Sequence, residues 1–177
     1  SQIRNKINNF DNNYKVEYEK KIPCSYGNKF TIDILITDKS TNKIHTCILA
    51  KAFISSVQKN RANNANTSIG ECVRILQKNP DVNLFFVTFI ANETPEYLSG
   101  KLNRMENTNS SYIKLNSDIL SPFKENVIKK IHFGTITYDV DKVNYNTKES
   151  FHNTLRESNI RNINTKSFNK SVESIFA

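Results

Sequence analysis

Two charged side chains stand where the surrounding sequence is apolar. Residues 30–36 and 45–53 are runs of β-branched and aromatic side chains, and the turn-forming residues Asp38, Ser40 and Asn42 lie between them. They read as a β-hairpin. Each strand carries one charge in its apolar run, Asp33 in the first and Lys51 in the second. A charge in such a place is costly unless it is paired or bound to a metal, so the pair predicts either a working site or a structural ion pair across the hairpin.

The elements that must position these residues can be read in order. Ile3, Ile7 and Phe10 recur at helical spacing, and Tyr14, Val16 and Tyr18 alternate with Lys15, Glu17 and Glu19 as in a half-exposed strand. After the hairpin, residues 55–68 are almost entirely amide, hydroxyl and base and read as a loop. A helix is expected over 69–78, with Ile69, Cys72, Val73 and Leu76 as its apolar stripe and Thr67 or Ser68 as its cap. Residues 82–90 are the most apolar run and fit a strand covered on both faces. Beyond it the pattern predicts a polar loop over 92–111 with a short helical part, a helix after Pro122, a strand over 133–140 and helices over 148–156 and 167–176. The fold class expected is mixed α/β, one domain over residues 1–177 with a mixed central sheet flanked by helices.

Composition narrows the function classes. The net charge of +8 and pI near 9.4 point to an anionic partner, of which nucleic acid is the commonest. Cys24, Cys47 and Cys72 have no metal-type spacing, and an odd count argues against a disulfide scaffold, so reduced thiols in a cytoplasmic protein are expected. His45, His132 and His152 stand far apart, which argues against zinc and against a Ser-His-Asp or Cys-His catalytic pair. No charged-then-apolar leader opens the chain, and no apolar run approaches the length of about 18 that crosses a bilayer, so no membrane role is expected.

The amide-rich segment is the natural reader of an anionic polymer. Asn and Gln match the adenine edge, Arg matches guanine and Lys anchors phosphates. Gln58, Lys59, Asn60, Arg61, Asn63, Asn64, Asn66, Thr67 and Arg74 supply these types directly after Lys51. The bland alternative is a solvated, Asn-rich surface.

Asp33 on one strand, Lys51 near the end of the next, then a helix and a central strand resemble the core of the PD-(D/E)XK nuclease superfamily, to which most type II restriction endonucleases belong. The resemblance covers residues 14–90 and leaves 91–177 for additional helices, a strand and loops that would serve dimerisation and DNA contacts. It implies a restriction-endonuclease-like core and a sequence-specific, Mg²⁺-dependent endonuclease of double-stranded DNA. Such an enzyme would work as a homodimer on a palindromic site, one strand cut by each subunit. Asp33 would bind the cation and Lys51 would activate or position the attacking water. The motif asks for an acid two residues before the lysine, where this chain has Leu49. Glu71, from the following helix, would then complete the catalytic and metal-binding set, with Glu19, or Glu17 beside it, as a further carboxylate. An ordinary reading of Glu71 is a favourable charge near a helix N-terminus, and of Glu17 and Glu19 the solvent face of a strand. Leu49 leaves two other readings open: an inactivated nuclease variant, and a catalytically inactive DNA-binding protein on the same fold.

Overall fold

The computed structural model describes residues 13–27 and 29–176; the helix expected around Ile3, Ile7 and Phe10 lies outside them. Three antiparallel strands come first, β1 (Tyr14–Pro23), β2 (Lys29–Asp38) and β3 (Ile44–Phe53). The turn between β2 and β3 closes on Asp38, whose Oδ1 accepts from the Ser40 N–H at 2.7 Å, the Ser40 hydroxyl at 2.6 Å and the Thr41 N–H at 2.9 Å. These donors, the Ser40 hydroxyl foremost, pull the Asp38 carboxyl down to about 2. Asn42, at φ +54°, takes the left-handed position that asparagine tolerates.

Helix α1 (Arg61–Leu76) then carries the chain over the sheet to β4 (Asn83–Ala91), which lies parallel to β3. The helix begins eight residues before the expected Ile69. Its buried face, Ala65, Ser68, Cys72 and Ile75, keeps helical spacing, but the first two are small and give no apolar signal. Neither expected cap acts as one: Asn60 holds the cap position, Thr67 donates its hydroxyl to the Asn63 carbonyl at 2.9 Å, and Ser68 is buried inside the helix.

The expected loop over 92–111 is instead a second, two-stranded sheet, β5 (Glu93–Leu98) and β6 (Lys101–Asn107), running into helix α2 (Thr108–Leu120). Asn107 caps α2 by accepting the Asn109 N–H at 3.2 Å. The helix expected after Pro122 shrinks to one turn, α3 (Glu125–Ile128). β7 (Ile131–Asp141) lies parallel to β4, α4 (Lys148–Leu155) starts with a capping box at Thr147 and Ser150, and β8 (Asn159–Asn164) precedes α5 (Lys166–Phe176). The main sheet is mixed and six-stranded, in the order β1-β2-β3-β4-β7-β8.

Two cores hold the layers together. On one face Leu35, Cys47, Leu49, Leu84 and Phe86 pack against Cys72 and Ile75 of α1 and Leu115 and Ile119 of α2. On the other, Ile36, Ile48, Phe85 and Val87 meet Phe168, Val172 and Ile175 of α5. β4 thus has both faces covered, as its continuous apolar run requires. Gly134 sits beneath α5, where a Cβ would stand 2.8 Å from the Phe85 ring and 3.0 Å from the Phe168 Cα. Among the described residues no helix is long and apolar enough to cross a membrane.

Candidate functional site

The hairpin comes apart at Asp33. Its two strands pair as far as Ile34 opposite Ile48, and one step further the Asp33 Oδ2, not a backbone carbonyl, accepts the Ala50 N–H at 2.7 Å. The neighbouring ladder breaks at the same level. Tyr18 pairs with Ile34 and Lys20 with Ile32, leaving Glu19 and Asp33 between them, and Glu19 adopts φ +48°. Ile32 and Leu35 both enter the core beneath α1, so the in-out alternation of β2 changes phase between them. An exposed carboxylate at such a fork satisfies a strand N–H that would otherwise have no acceptor.

Lys51 projects one residue further along β3. Its partner is Glu71 on α1, Nζ to Oε1 at 2.5 Å, and not Asp33, so the expected ion pair across the hairpin is replaced by one between strand and helix. The Lys51 side chain is 26% exposed and that of Glu71 14%, which shields the pair from full solvent screening. The second carboxylate oxygen of Glu71, Oε2, is buried with no hydrogen-bond partner.

A polar row crosses the sheet at this level. Lys51 stands opposite Thr88 on β4, and Thr88 opposite Thr135 on β7. The row two residues earlier is apolar, Leu49, Phe86 and Phe133. Ser68 of α1 and Tyr112 and Asn116 of α2 join Lys51 and Thr88 around a narrow crevice. The boundary between core and chemistry therefore falls between positions 49 and 51: Leu49 is 3% exposed and belongs wholly to the core. Burial, with the neighbouring Glu71 charge adding to it, pushes the Cys72 thiol up to about 12.

Among the described residues no three His, Cys, Asp or Glu side chains gather into a group able to hold a metal ion. Glu17 is engaged by Lys15 at 3.2 Å and Lys20 at 3.0 Å, and hydrogen bonds from these lysines, Lys20 foremost, hold its carboxyl below the usual range. What remains around Lys51 is Asp33 and Glu71, with Glu19 opposite Asp33 where the β1–β2 pairing lapses. Mg²⁺ commonly takes only one or two protein carboxylates and fills its shell with water and phosphate oxygens. The orphaned Glu71 Oε2 is the observation that fits such a ligand set.

The amide-rich residues divide into two groups. Lys59, Asn60, Asn63, Asn66 and Thr67 are exposed, and the last three follow the outer surface of α1. The others serve the fold. Gln58 donates its N–H to Glu106 at 3.2 Å and accepts the Ser111 hydroxyl at 3.2 Å, Arg61 pairs with Asp118 at 2.9 Å, and Asn64 is half-buried. Arg74 lies at the far end of α1, its guanidinium 4.9 Å from the Phe30 ring centroid and 3.7 Å from the Cys24 sulfur.

Sequence reasoning missed a second acidic pair, Glu96 on β5 and Glu106 on β6. Burial first, then the nearby Glu96, raise the Glu106 carboxyl, while that of Glu96 is lowered, and Arg104 lies 2.8 Å from Glu96 and 3.9 Å from Glu106. No spacing signal marked them, because the hairpin that brings them together was itself hidden in a polar stretch. Comparisons with family models, with curated proteins and with solved structures found no match for this chain.

Proposed function

We propose that this chain is a metal-dependent endonuclease of double-stranded DNA, of the type II restriction class, acting as a homodimer. The observation that carries the reading is the Lys51–Glu71 pair with its orphaned Glu71 oxygen, set one residue beyond the strand fork held by Asp33. The succession of three antiparallel strands, a helix and a parallel strand supports it, because that is the order the motif requires.

In this reading Asp33, Glu71 and Glu19 are the carboxylates available to Mg²⁺, which when bound would polarise a phosphoryl oxygen and acidify a water. Lys51 places an ammonium beside that position. Glu71 Oε1 holds the ammonium in place, so its remaining donors can meet a phosphate oxygen or the attacking water. Asp33 holds the Ala50 amide and so fixes the backbone from which Lys51 projects. Lys59, Asn60, Asn63, Asn66 and Thr67 form the surface that would meet DNA, Lys by phosphate contact and the amides by base edges.

The core burial of Leu49 favours a second reading, a DNA-binding protein on the same scaffold that does not cut. One experiment separates them. Purified protein is incubated with plasmid DNA in Mg²⁺ or in EDTA and the products are run on a gel. The nuclease reading expects discrete fragments only with Mg²⁺ and none from Asp33→Asn or Glu71→Gln. Tight duplex binding without cutting, unchanged in both variants, would establish the second reading.

A further inference from the structure

A cavity of about 530 Å³ opens at the C-terminal end of β4, beside the middle of β7 and between the first turns of α2 and α5. Its volume falls in the range of small-ligand sites, about 300–1,000 Å³. In sheets with parallel strands that end is also where ligands collect.

The lining has a chemical sign. Among the described residues no Asp or Glu lines the cavity, and apart from Ile90 every wall residue offers a hydroxyl, an amide or, at Lys166, an ammonium. Lys166 makes no ion pair among the described residues, and the side chains of Thr137 and Asn109 have no partner there either. Tyr112 is 6% exposed, and its hydroxyl satisfies no hydrogen-bond geometry although Thr88, Asn116 and Thr135 surround it. Two helices of more than two turns begin at the wall, α2 at Thr108 and α5 at Lys166; the Asn107 and Asn164 side chains already accept the Asn109 and Lys166 N–H groups, and the helix dipoles add positive potential. Hydroxyl and amide groups, the Lys166 ammonium and two helix dipoles, with no carboxylate among the described lining residues, match an anion.

We propose that this cavity binds a phosphate group, carried either by a free nucleotide or by the backbone of a nucleic acid. Lys166 supplies the charge, Thr137 and Ser167 supply hydroxyl donors, and Asn109 and Asn164 are left to contact the rest of the ligand. The proposal does not depend on cleavage at Lys51, so a chain that fails to cut DNA still binds phosphate here.

The test is calorimetric titration of the full chain with inorganic phosphate, thymidine 5′-monophosphate, thymidine and a short duplex. Phosphate and the monophosphate are expected to bind, thymidine at least about tenfold more weakly, and Lys166→Ala and Thr137→Val each to weaken the monophosphate about tenfold with an unchanged melting temperature. Displacement of the duplex by phosphate, with loss of duplex affinity in both variants, assigns the group to a nucleic-acid backbone. Binding of the monophosphate with no effect on the duplex assigns it to a free nucleotide. Equal affinity for thymidine and its monophosphate, or binding untouched by both substitutions, overturns the proposal.

Discussion

The Asp33 carboxylate on β2 accepts the Ala50 N–H on β3 at 2.7 Å, one residue before the lysine that reaches Glu71. A residue expected to bind a cation thus also closes the strand fork. The two duties separate by substitution. Asp33→Asn keeps an acceptor and removes the charge, so it should unfold in urea within about 0.5 kcal/mol of the parent, whereas Asp33→Ala orphans the amide and should lose about 1–2 kcal/mol. Equal losses in the two variants would mean that charge, not the hydrogen bond, does the fastening.

Leu49 gives a prediction against the motif. Glutamate there would restore the expected acid, but it would stand among Leu35, Cys47 and Phe86, in a core site only 3% exposed. Leu49→Glu should cost about 3 kcal/mol or more and yield no Mg²⁺-dependent cutting. The buried carboxyl would titrate above its unfolded value, so its penalty should shrink as pH falls, which melting curves at neutral and acid pH would show. A variant as stable as the parent at neutral pH would place position 49 outside the core.

Glu106 should be a weak point of the β5–β6 hairpin at neutral pH. Its folded pKa is raised, so the stability it contributes is present below its unfolded value and is lost as pH rises through the folded value. Glu96, held low, contributes in the opposite sense, above its unfolded value. Glu106→Gln keeps an oxygen for the Gln58 N–H and removes one of two facing charges. It should melt above the parent at neutral pH, and the gap should close toward acid pH; a gap that grows on acidification would refute a raised Glu106 pKa.

Cys47 and Cys72 are fully buried and their thiols are pushed up to about 12. Neither should react with a maleimide at pH 8 in the folded protein, and both should react once it is unfolded. In the unfolded chain these thiols ionise near their ordinary value, so between about pH 9 and 12 the folded state binds more protons and stability falls as pH rises. A replacement of both by alanine should flatten that alkaline decline.

The central hairpin was legible because alternation, β-branched residues and turn chemistry agree over residues 30–53. The candidate pair was half legible. Asp33 and Lys51 stood out as charges in apolar strands, but the partner of Lys51 depends on how α1 packs on the sheet, and part of its buried face, Ala65 and Ser68, is small and carries no hydrophobic pattern. β8 was invisible for a related reason: all six of its residues are exposed, so it has no buried face to leave a period of two. The β5–β6 hairpin hid among polar residues because its buried members include Thr94, Pro95 and Glu106, which no hydrophobic count would select.

The bare α-carbon of Gly134 works at a distance. α5 rests its Phe168 backbone over that position, and two residues earlier the same helix supplies Lys166 to the polar cavity at the C-terminal end of β4. The missing methyl is therefore a spacer of zero thickness: it sets how close the helix lies to β7 and, through it, the aperture of a site it never touches.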